Sequence, residues 1–443
     1  MTTPLDPVVI AQGSRPDAQR SELEARLAAI RTARLAPLRA FPPRPQPAPA
    51  LSLNAEAFMN ALATTLAAEV EGFAAAIQYP DPKNPATYLQ IAQTGGYAID
   101  PNDGAARAWS ASQTQHVASV SKLPTAIAMT KLLLQNQISF EAAIGKYFPP
   151  SWTVGPNIAD VTFAQLLTMT SGIDNGAMDY ESMKAQVAAG VSKSSIGTYT
   201  YANMNFSLCR ILLTTILMYV PVYTPTGVSP HVPPGVTPGG QSSDPGYDFP
   251  ASVVPVVGGE TERIEFVNKW PSGDDACDLL SIQTYQSYLT ANVLIGGETA
   301  RLTHAGTDAL AYACPKPPNN GWNSGDLSYC AGAAGWHFSP TDVLQFMGDF
   351  RRAGTILTPQ QAQTMLDDGF GIDWIQNDGA GTFYEKDGYW YDGQRVEQAT
   401  AFFLPNQSEL VVLVNSTVGA DVPNDTWIAW VVEPIYKANL VSA

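Results

Sequence analysis

The tetrapeptide Ser119-Val120-Ser121-Lys122 is the stretch that decides how the rest of this chain is interpreted. Residues at positions i and i+3 of a helix lie on the same face, so Lys122 can reach the Ser119 hydroxyl. A lysine that is removed from water has a lowered pKa and can act as a base near neutral pH. Because a serine beside such a base is an activated nucleophile, the spacing predicts covalent catalysis at Ser119.

The composition limits the classes of protein to which the chain can belong. Its 443 residues, 45% hydrophobic and 14% charged, are enough for one large core or two domains, and they exclude a mostly disordered protein. The net charge of -16 disfavours nucleic acid and anionic membranes as partners. The sequence contains no run of 18 apolar residues, so it predicts no transmembrane helix. No secretory signal is visible, so we expect a cytoplasmic protein unless a leader has been removed.

The cysteines and histidines do not predict a metal site. Cys209, Cys277, Cys314 and Cys330 lack the paired C-x-x-C spacing of zinc sites, so we expect neither a metal nor a cofactor. Cys314 and Cys330 flank a segment rich in Pro, Gly and Asn, and a disulfide between them is one alternative. Four unpaired, mostly buried thiols are the other alternative.

Two segments depart from a globular pattern. Residues 1–50 combine a helical pattern with a proline-rich linker, which predicts an arm appended to a domain spanning 51–443. Residues 221–259 are rich in proline and glycine and have little periodicity, which predicts a long loop. This insertion either shapes the substrate pocket or decorates the surface, and the sequence leaves both open.

The globular part shows clear helix and strand patterns. Asn54 is expected to cap a helix that runs to about Val70, and a second helix is expected over Lys122 to Gln137, with Pro124 in its first turn. Strands are predicted at Phe73–Tyr79, Tyr88–Gly96 and Leu404–Val414, and a closing helix at about Thr426–Lys437.

Further motifs follow the tetrapeptide in a characteristic order. Tyr201-Ala202-Asn203 and Lys386-Asp387-Gly388 come downstream, and residues 161–172 read VTFAQLLTMTSG. The order Ser-x-x-Lys, Tyr-x-Asn, Lys-x-Gly resembles that of the penicillin-recognising serine hydrolases. Within them, the chain is similar to the branch of class C β-lactamases, D-aminopeptidases and related esterases. The resemblance extends over roughly residues 52–440.

The resemblance implies an α+β fold of the β-lactamase type. In this fold an antiparallel sheet flanked by helices packs against a helical subdomain, here roughly 150–330, and the active site lies in the cleft between them. The resemblance also implies that Ser119 is acylated and that Lys122 takes up or shuttles its proton. Tyr201, with a pKa lowered by two nearby lysines, would then be a general base.

The resemblance assigns the remaining site residues to positioning and charge. Asn203 would hold Lys122 and the substrate amide, and Lys386 would add positive charge. The backbone N–H groups of Ser119 and Tyr389 would form the oxyanion hole. His116, His304 and His337 have no part in this mechanism, and His337 is expected to be structural.

Two positions differ from the family pattern, and Asp387 is the more informative. The family usually has Thr or Ser there, which together with Gly388 helps to bind the substrate carboxylate. A carboxylate at the same place would repel a substrate carboxylate by about 4 kcal/mol at 4 Å. If Asp387 instead pairs with a neighbouring cation, its charge would have no effect on the substrate. Met169 replaces a histidine of structural character. The Asp387 difference favours neutral esters or amides over β-lactams.

These observations together predict a serine hydrolase that forms an acyl-enzyme on Ser119. The expected activity is that of an esterase or an amidase/peptidase on a small-molecule substrate with a small acyl or D-amino-acid group. A β-lactamase, a D-Ala-D-Ala carboxypeptidase and an acyltransferase are alternatives that use the same residues. A penicillin-binding-like module that binds without turnover is the alternative outside the enzymes.

Overall fold

The computed structural model describes residues 51–218, 220–225, 262–267, 270–315, 320–418 and 427–442. The arm predicted for residues 1–50 and most of the insertion predicted at 221–259 lie outside the described residues. Two pieces next to that insertion are described: Val220–Pro225 and Glu262–Val267 pair as antiparallel strands.

The strands of the described residues are, in chain order, β1 (Leu51–Leu53), β2 (Gly72–Asp81), β3 (Asn84–Ile99), β4 (Arg107–Ala108), β5 (Gln115–His116), β6 (Val220–Pro225), β7 (Glu262–Val267), β8 (His337–Phe338), β9 (Trp374–Asp378), β10 (Gly381–Tyr391), β11 (Val396–Leu404), β12 (Ser408–Val414) and β13 (Leu440–Ser442). Seven of these described strands form an antiparallel sheet in the order β4-β3-β2-β12-β11-β10-β9. β5 pairs with β8, and β1 pairs with β13.

The α-helices of the described residues are α1 (Ala55–Glu69), α2 (Lys122–Gln135), α3 (Phe163–Leu167), α4 (Tyr180–Ala189), α5 (Met204–Met218), α6 (Asp274–Asn292), α7 (Pro340–Arg351), α8 (Pro359–Asp367) and α9 (Trp427–Ala438). In this described part of the chain, none of these helices is both long and apolar enough to span a bilayer.

The two faces of the sheet are covered by different helices because side chains alternate along each strand. Phe402 and Val412 point to one face, where they share a core with Phe58 of α1 and Val432 of α9. We call this the rear face. The opposite, front face carries small residues such as Ala401, and it packs against α2, α7 and the helical part of the chain. Small side chains on this face let the start of α2 approach the sheet closely.

Helix α2 is the central element of the front layer. Its residues Leu123, Ile127 and Leu132 are buried in the larger core together with residues of α5, α6 and α7. Pro124 lies in the first turn, where its missing N–H costs no helical hydrogen bond. The helix thereby anchors the turn that precedes it, which carries Ser119.

The structure confirms most of the helices and strands predicted from the sequence and corrects others. Asn54 caps α1 through a hydrogen bond from Ala57 N to its side chain at 3.1 Å. The strand predicted over Leu404–Val414 is confirmed from Ser408 onward as β12, but its start is wrong, since Leu404 ends β11 and a short 3-10 turn at Pro405–Gln407 separates the two strands. The four cysteines are free thiols, so Cys314 and Cys330 form no disulfide.

Candidate active site

Ser119 lies on a 3-10 turn, Ala118–Ser121, that leads directly into α2. Ala118 has a φ of 47°, a left-handed conformation that is uncommon for a residue with a side chain. The turn is held in place from outside, because Val117 N donates to Trp336 O at 2.9 Å and Trp336 N donates to Ser121 Oγ at 3.3 Å. The surrounding structure thus fixes Ser119, which is partly exposed, in a strained turn.

Lys122 is fully buried, and its side-chain nitrogen has three oxygen neighbours. Lys122 Nζ lies 2.8 Å from Ser119 Oγ, 2.8 Å from Asn203 Oδ1 and 2.8 Å from Ala333 O. Burial, and secondly the nearby Lys386, hold the pKa of Lys122 well below its usual value, while the Asp373 carboxylate acts in the opposite direction. A neutral lysine within hydrogen-bond distance of a serine has the geometry of a general base.

Tyr201 contacts the same serine oxygen as Lys122 does. Tyr201 OH donates to Ser119 Oγ at 2.6 Å, and its ring centroid lies 5.2 Å from Lys122 Nζ and 5.7 Å from Lys386 Nζ. The loop that carries Tyr201 is held by the predicted 161–172 motif, because Thr200 N donates to Met169 O at 2.9 Å. The predicted motif therefore supports the backbone just before Tyr201.

Lys386 lies on β10, and an acid next to β9 neutralises its charge. Lys386 Nζ lies 2.5 Å from Asp373 Oδ2, and the same oxygen accepts a hydrogen bond from Asp387 N at 3.2 Å. The Lys386 side chain is 1% exposed and that of Asp373 is 20% exposed. Asp373 therefore offers one side of its carboxylate to solvent while it binds the lysine with the other.

Gly388 brings the edge of β10 against the Ser119 turn. A Cβ at this position would lie 2.3 Å from Val117 O and 3.1 Å from Ser119 N. Real Cβ atoms do not approach a backbone oxygen so closely, so a glycine is required here for the strand and the turn to meet. The residue that follows it on the strand is Tyr389, whose N–H the sequence predicts as the second oxyanion donor.

Comparisons with known proteins agree with this geometry. The β-lactamase family model matches residues 73–216, and a search of curated proteins gave no significant match. A D-amino acid amidase from Ochrobactrum anthropi SV3, solved with L-phenylalanine amide, is similar in structure with a TM-score of 0.56 at 15% identity, covering 87% of this chain and 97% of that one. A β-lactamase/D-alanine carboxypeptidase from Yersinia pestis has a TM-score of 0.55 at 12% identity, with coverages of 87% and 99%.

A third similar structure is an octameric penicillin-binding protein homologue from Pyrococcus abyssi, with a TM-score of 0.54 at 14% identity, covering 83% of this chain and 73% of that one. At these identities the structural likeness establishes the fold, and the family-model match covers Ser119, Lys122, Tyr201 and Asn203. Over residues 73–216 the chain is similar to the β-lactamase family. Its fold is the β-lactamase type that the sequence predicted.

The structure brings most of the predicted site residues together. Ser119, Lys122, Tyr201 and Asn203 form one hydrogen-bonded cluster, and Lys386 Nζ lies 5.7 Å from the centroid of the Tyr201 ring.

Asp387 differs from the other predicted residues. It pairs across the sheet with Thr400, whose Oγ1 donates to Asp387 Oδ1 at 2.9 Å. Since neighbouring residues on a strand alternate, this places the Asp387 side chain on the rear face, whereas Lys386, opposite Ala401, is on the front face. The Thr400 contact does not support direct binding of substrate by Asp387, which stays a prediction.

Sequence reasoning missed Asp373. It precedes Lys386 by 13 residues and belongs to no motif, although Asp373 N donates to Glu385 O at 2.9 Å as the β9–β10 hairpin begins. An acid at the start of the strand that pairs with the one carrying Lys386 is the signal that would have indicated this contact.

Proposed function

We propose that the chain is a serine hydrolase that forms an acyl-enzyme on Ser119. Its substrates are uncharged esters, or amides and peptides, with a small acyl or D-amino-acid group. The observation that carries this proposal is the pair of contacts at Ser119 Oγ, with Lys122 Nζ at 2.8 Å and Tyr201 OH at 2.6 Å. A base on one side of the nucleophile and a proton donor on the other are what acyl transfer needs.

The hydrogen bonds of Lys122 suit the role of base. A neutral lysine amine has two N–H donors and one lone pair. Asn203 Oδ1 and Ala333 O accept the two donors, which leaves the lone pair for the Ser119 hydroxyl proton. The lowered pKa of Lys122 favours this neutral form. Asn203 therefore positions the base, and removing it would leave one N–H without its acceptor.

Acylation then proceeds in two steps. Ser119 Oγ attacks the substrate carbonyl carbon while its proton passes to Lys122, and a tetrahedral intermediate forms. The bond to the leaving group breaks as Tyr201 OH gives up its proton to that group, and the Lys122 ammonium restores the proton to Tyr201. A water molecule attacks the acyl-enzyme by the reverse sequence. The N–H groups of Ser119 and Tyr389 serve as donors to the oxyanion.

The Asp373–Lys386 pair supports substrates that lack a carboxylate. A substrate carboxylate needs a cation with an unsatisfied charge, and the contact at 2.5 Å gives Lys386 an acidic partner of its own. The partly exposed Asp373 carboxylate suits the ammonium group of an aminoacyl substrate instead. The structural similarity to a D-amino acid amidase supports an amide of this type. The argument against β-lactams, first made from Asp387, is thus stronger when made from Asp373.

The test compares Ser119→Ala with Ser110→Ala, a matched change at an exposed serine. We expect hydrolysis of p-nitrophenyl butyrate and of a D-alanine p-nitroanilide to be lost in the first variant and kept in the second. Mass spectrometry of the wild type should find the acyl group on the peptide that contains Ser119. Turnover that survives Ser119→Ala would contradict the proposal, and an acyl adduct that is never released would favour the binding module.

Substrate charge is tested with p-nitrophenyl butyrate and p-nitrophenyl hemisuccinate, which differ by one carboxylate. The wild type should prefer the neutral ester. Asp373→Asn removes the acidic partner of Lys386, so the preference should move toward the hemisuccinate by about tenfold, as loss of one screened charge contact predicts. An unchanged preference would show that Asp373 does not select against carboxylates.

A further inference from the structure

Three buried side chains with metal-ligating atoms lie close together outside the catalytic cluster. One ligand atom from each of His304, Asp308 and His337 lies within 4.8 Å of the other two. His337 and Asp308 are fully buried, and the His304 side chain is 11% exposed. The ring of His116, which interacts electrostatically with Lys122, lies 5.3 Å from the ring of His337. The group is therefore separate from the nucleophile and its base.

His337 presents a nitrogen that lacks a hydrogen-bond partner. Its Nδ1 lies 3.1 Å from Gly335 O, and because a carbonyl oxygen only accepts, Nδ1 must carry the proton. The lone pair of the neutral ring is then on Nε2, which is buried and has no hydrogen-bond partner among the described residues. A buried imidazole nitrogen fixed in this way has the form of a metal ligand.

Asp308 and His304 complete the set on a neighbouring loop. Asp308 Oδ1 is held by Arg301 and by Thr114, and Oδ2 accepts a hydrogen bond from Ala305 N at 2.7 Å. His304 Nδ1 is buried, has no hydrogen-bond partner in the described structure, and lies 3.7 Å from Asp308 Oδ2. Arg301 and Thr114 thus satisfy one carboxylate oxygen, and the other, Oδ2, lies next to the His304 ring.

We propose that His304, Asp308 and His337 bind one divalent transition-metal ion, with water at the remaining position. Two imidazoles and one carboxylate are a donor set that zinc and ferrous iron both accept. Ligands about 2.0–2.1 Å from a tetrahedral zinc lie roughly 3.3 Å apart, close to the 3.7 Å between His304 Nδ1 and Asp308 Oδ2. The ligand atoms of the three residues lie within 4.8 Å of one another, so the side chains need to move only slightly closer to hold the ion.

The ion would join a loop to the strand behind the nucleophile. His337 is on β8, which pairs with β5 through His116, and β5 is followed by the turn that carries Ser119. His304 and Asp308 belong to the loop whose Arg301 O accepts a hydrogen bond from His337 N at 2.8 Å. The bound ion therefore stabilises the loop and strands that hold the Ser119 turn, and it supplies no group to the reaction. It does not rest on the proposed function, since metal uptake requires no turnover.

The test measures metal binding by the full chain. Protein purified without chelator is analysed for zinc and iron. Chelator-treated protein is then titrated with Zn²⁺ by calorimetry and with Co²⁺ by visible absorption. We expect one equivalent to bind and the ion to raise the unfolding temperature. His304→Ala should weaken zinc binding by more than about 100-fold, beyond the usual effect of losing only a supporting contact.

Two further variants separate a ligand from a structural residue. His304→Cys supplies a thiolate in place of the imidazole and should restore zinc binding. The His231→Ala variant lacks a histidine that does not belong to this group, and it should bind zinc as the wild type does. A wild type that takes up no ion, or a His304→Ala variant that binds zinc as tightly as the wild type, would overturn the proposal.

Discussion

At the scale of single residues, Lys122 determines how the reaction should respond to pH. Burial and Lys386 lower its pKa, so the neutral base persists well below the usual titration range of a lysine. Falling pH eventually protonates it, and kcat/KM for an uncharged ester should fall on the acidic side as the base is lost. The measurement is a profile of kcat/KM against pH with p-nitrophenyl butyrate.

Two variants of one ion pair give this prediction its control. Asp373 raises the pKa of Lys122, so Asp373→Asn should move the acidic limb of the profile to lower pH. Lys386 lowers the same pKa, so Lys386→Met should move the limb to higher pH. Both variants break the same contact, and structural damage alone would therefore shift the two profiles alike. Shifts in the same direction would contradict the assignment of the limb to Lys122.

Gly388→Ala tests the close approach of β10 to the nucleophile. The added Cβ would meet Val117 O at 2.3 Å, so the strand must move away from the Ser119 turn. If the Tyr389 N–H is an oxyanion donor, kcat should fall by about 10²–10³. Gly379→Ala, in the turn between β9 and β10 with nothing within 4 Å of its Cβ, is the matched control. Equal kcat in the two variants would remove Tyr389 from the proposed oxyanion hole.

The sequence predicted the candidate catalytic residues because the proposed chemistry requires them at short spacings. Ser119 and Lys122 are one helical turn apart, and Tyr201 and Asn203 are two residues apart, so each pair can be recognised locally. Asp373 and the group of His304, Asp308 and His337 are brought together by sheet pairing and loop packing over long sequence distances. No local pattern marks such contacts, and they were found only in the structure.

At the scale of elements, the strongest patterns gave correct helices and strands. Asn54 and the apolar stripe after it predicted α1, and the run Phe73–Tyr79 lies inside β2. The strand predicted at Leu404–Val414 begins only at Ser408, because Pro405, Asn406 and Gln407 form a tight turn in which Asn406 has a φ of 59°. Helices α4 and α6 were not predicted, since their polar and apolar residues give a weak periodicity.

The paired strands β6 and β7 predict that the proline-rich insertion can be shortened. Pro225 lies opposite Glu262 in this hairpin, so its two ends are already adjacent. Replacing residues 226–261 with Asn-Gly, which favours a two-residue hairpin turn, should leave a folded protein, because closing a shorter loop costs little entropy. Thermal unfolding followed by circular dichroism measures this, with a Gly/Ser segment of the original length as control. Loss of cooperative unfolding only in the shortened chain would contradict it.

The same shortened chain tests the role that the sequence left open for the insertion. If it shapes the pocket, the relative kcat/KM for p-nitrophenyl esters from acetate to octanoate should change when it is removed. Identical preferences across the acyl lengths would leave it as surface decoration.

At the scale of the whole molecule, the net charge of -16 adds to the local effect of Asp373. A negative protein lowers the local concentration of anionic substrates and leaves neutral substrates unaffected. This long-range effect is screened by salt, since the Debye length falls from about 30 Å at 0.01 M to about 8 Å at 0.15 M. The Asp373–Lys386 contact is buried on its lysine side and should respond much less.

The two contributions can therefore be separated by ionic strength. Between about 0.01 and 0.15 M NaCl, over which the Debye length shortens as above, kcat/KM for p-nitrophenyl hemisuccinate should rise a few-fold while that for p-nitrophenyl butyrate stays constant. Asp373→Asn should increase hemisuccinate hydrolysis at both salt concentrations, because it changes the site and hardly changes the overall field. Parallel salt responses of the two esters would mean that the overall charge does not influence substrate choice, which would then rest on the cleft residues alone.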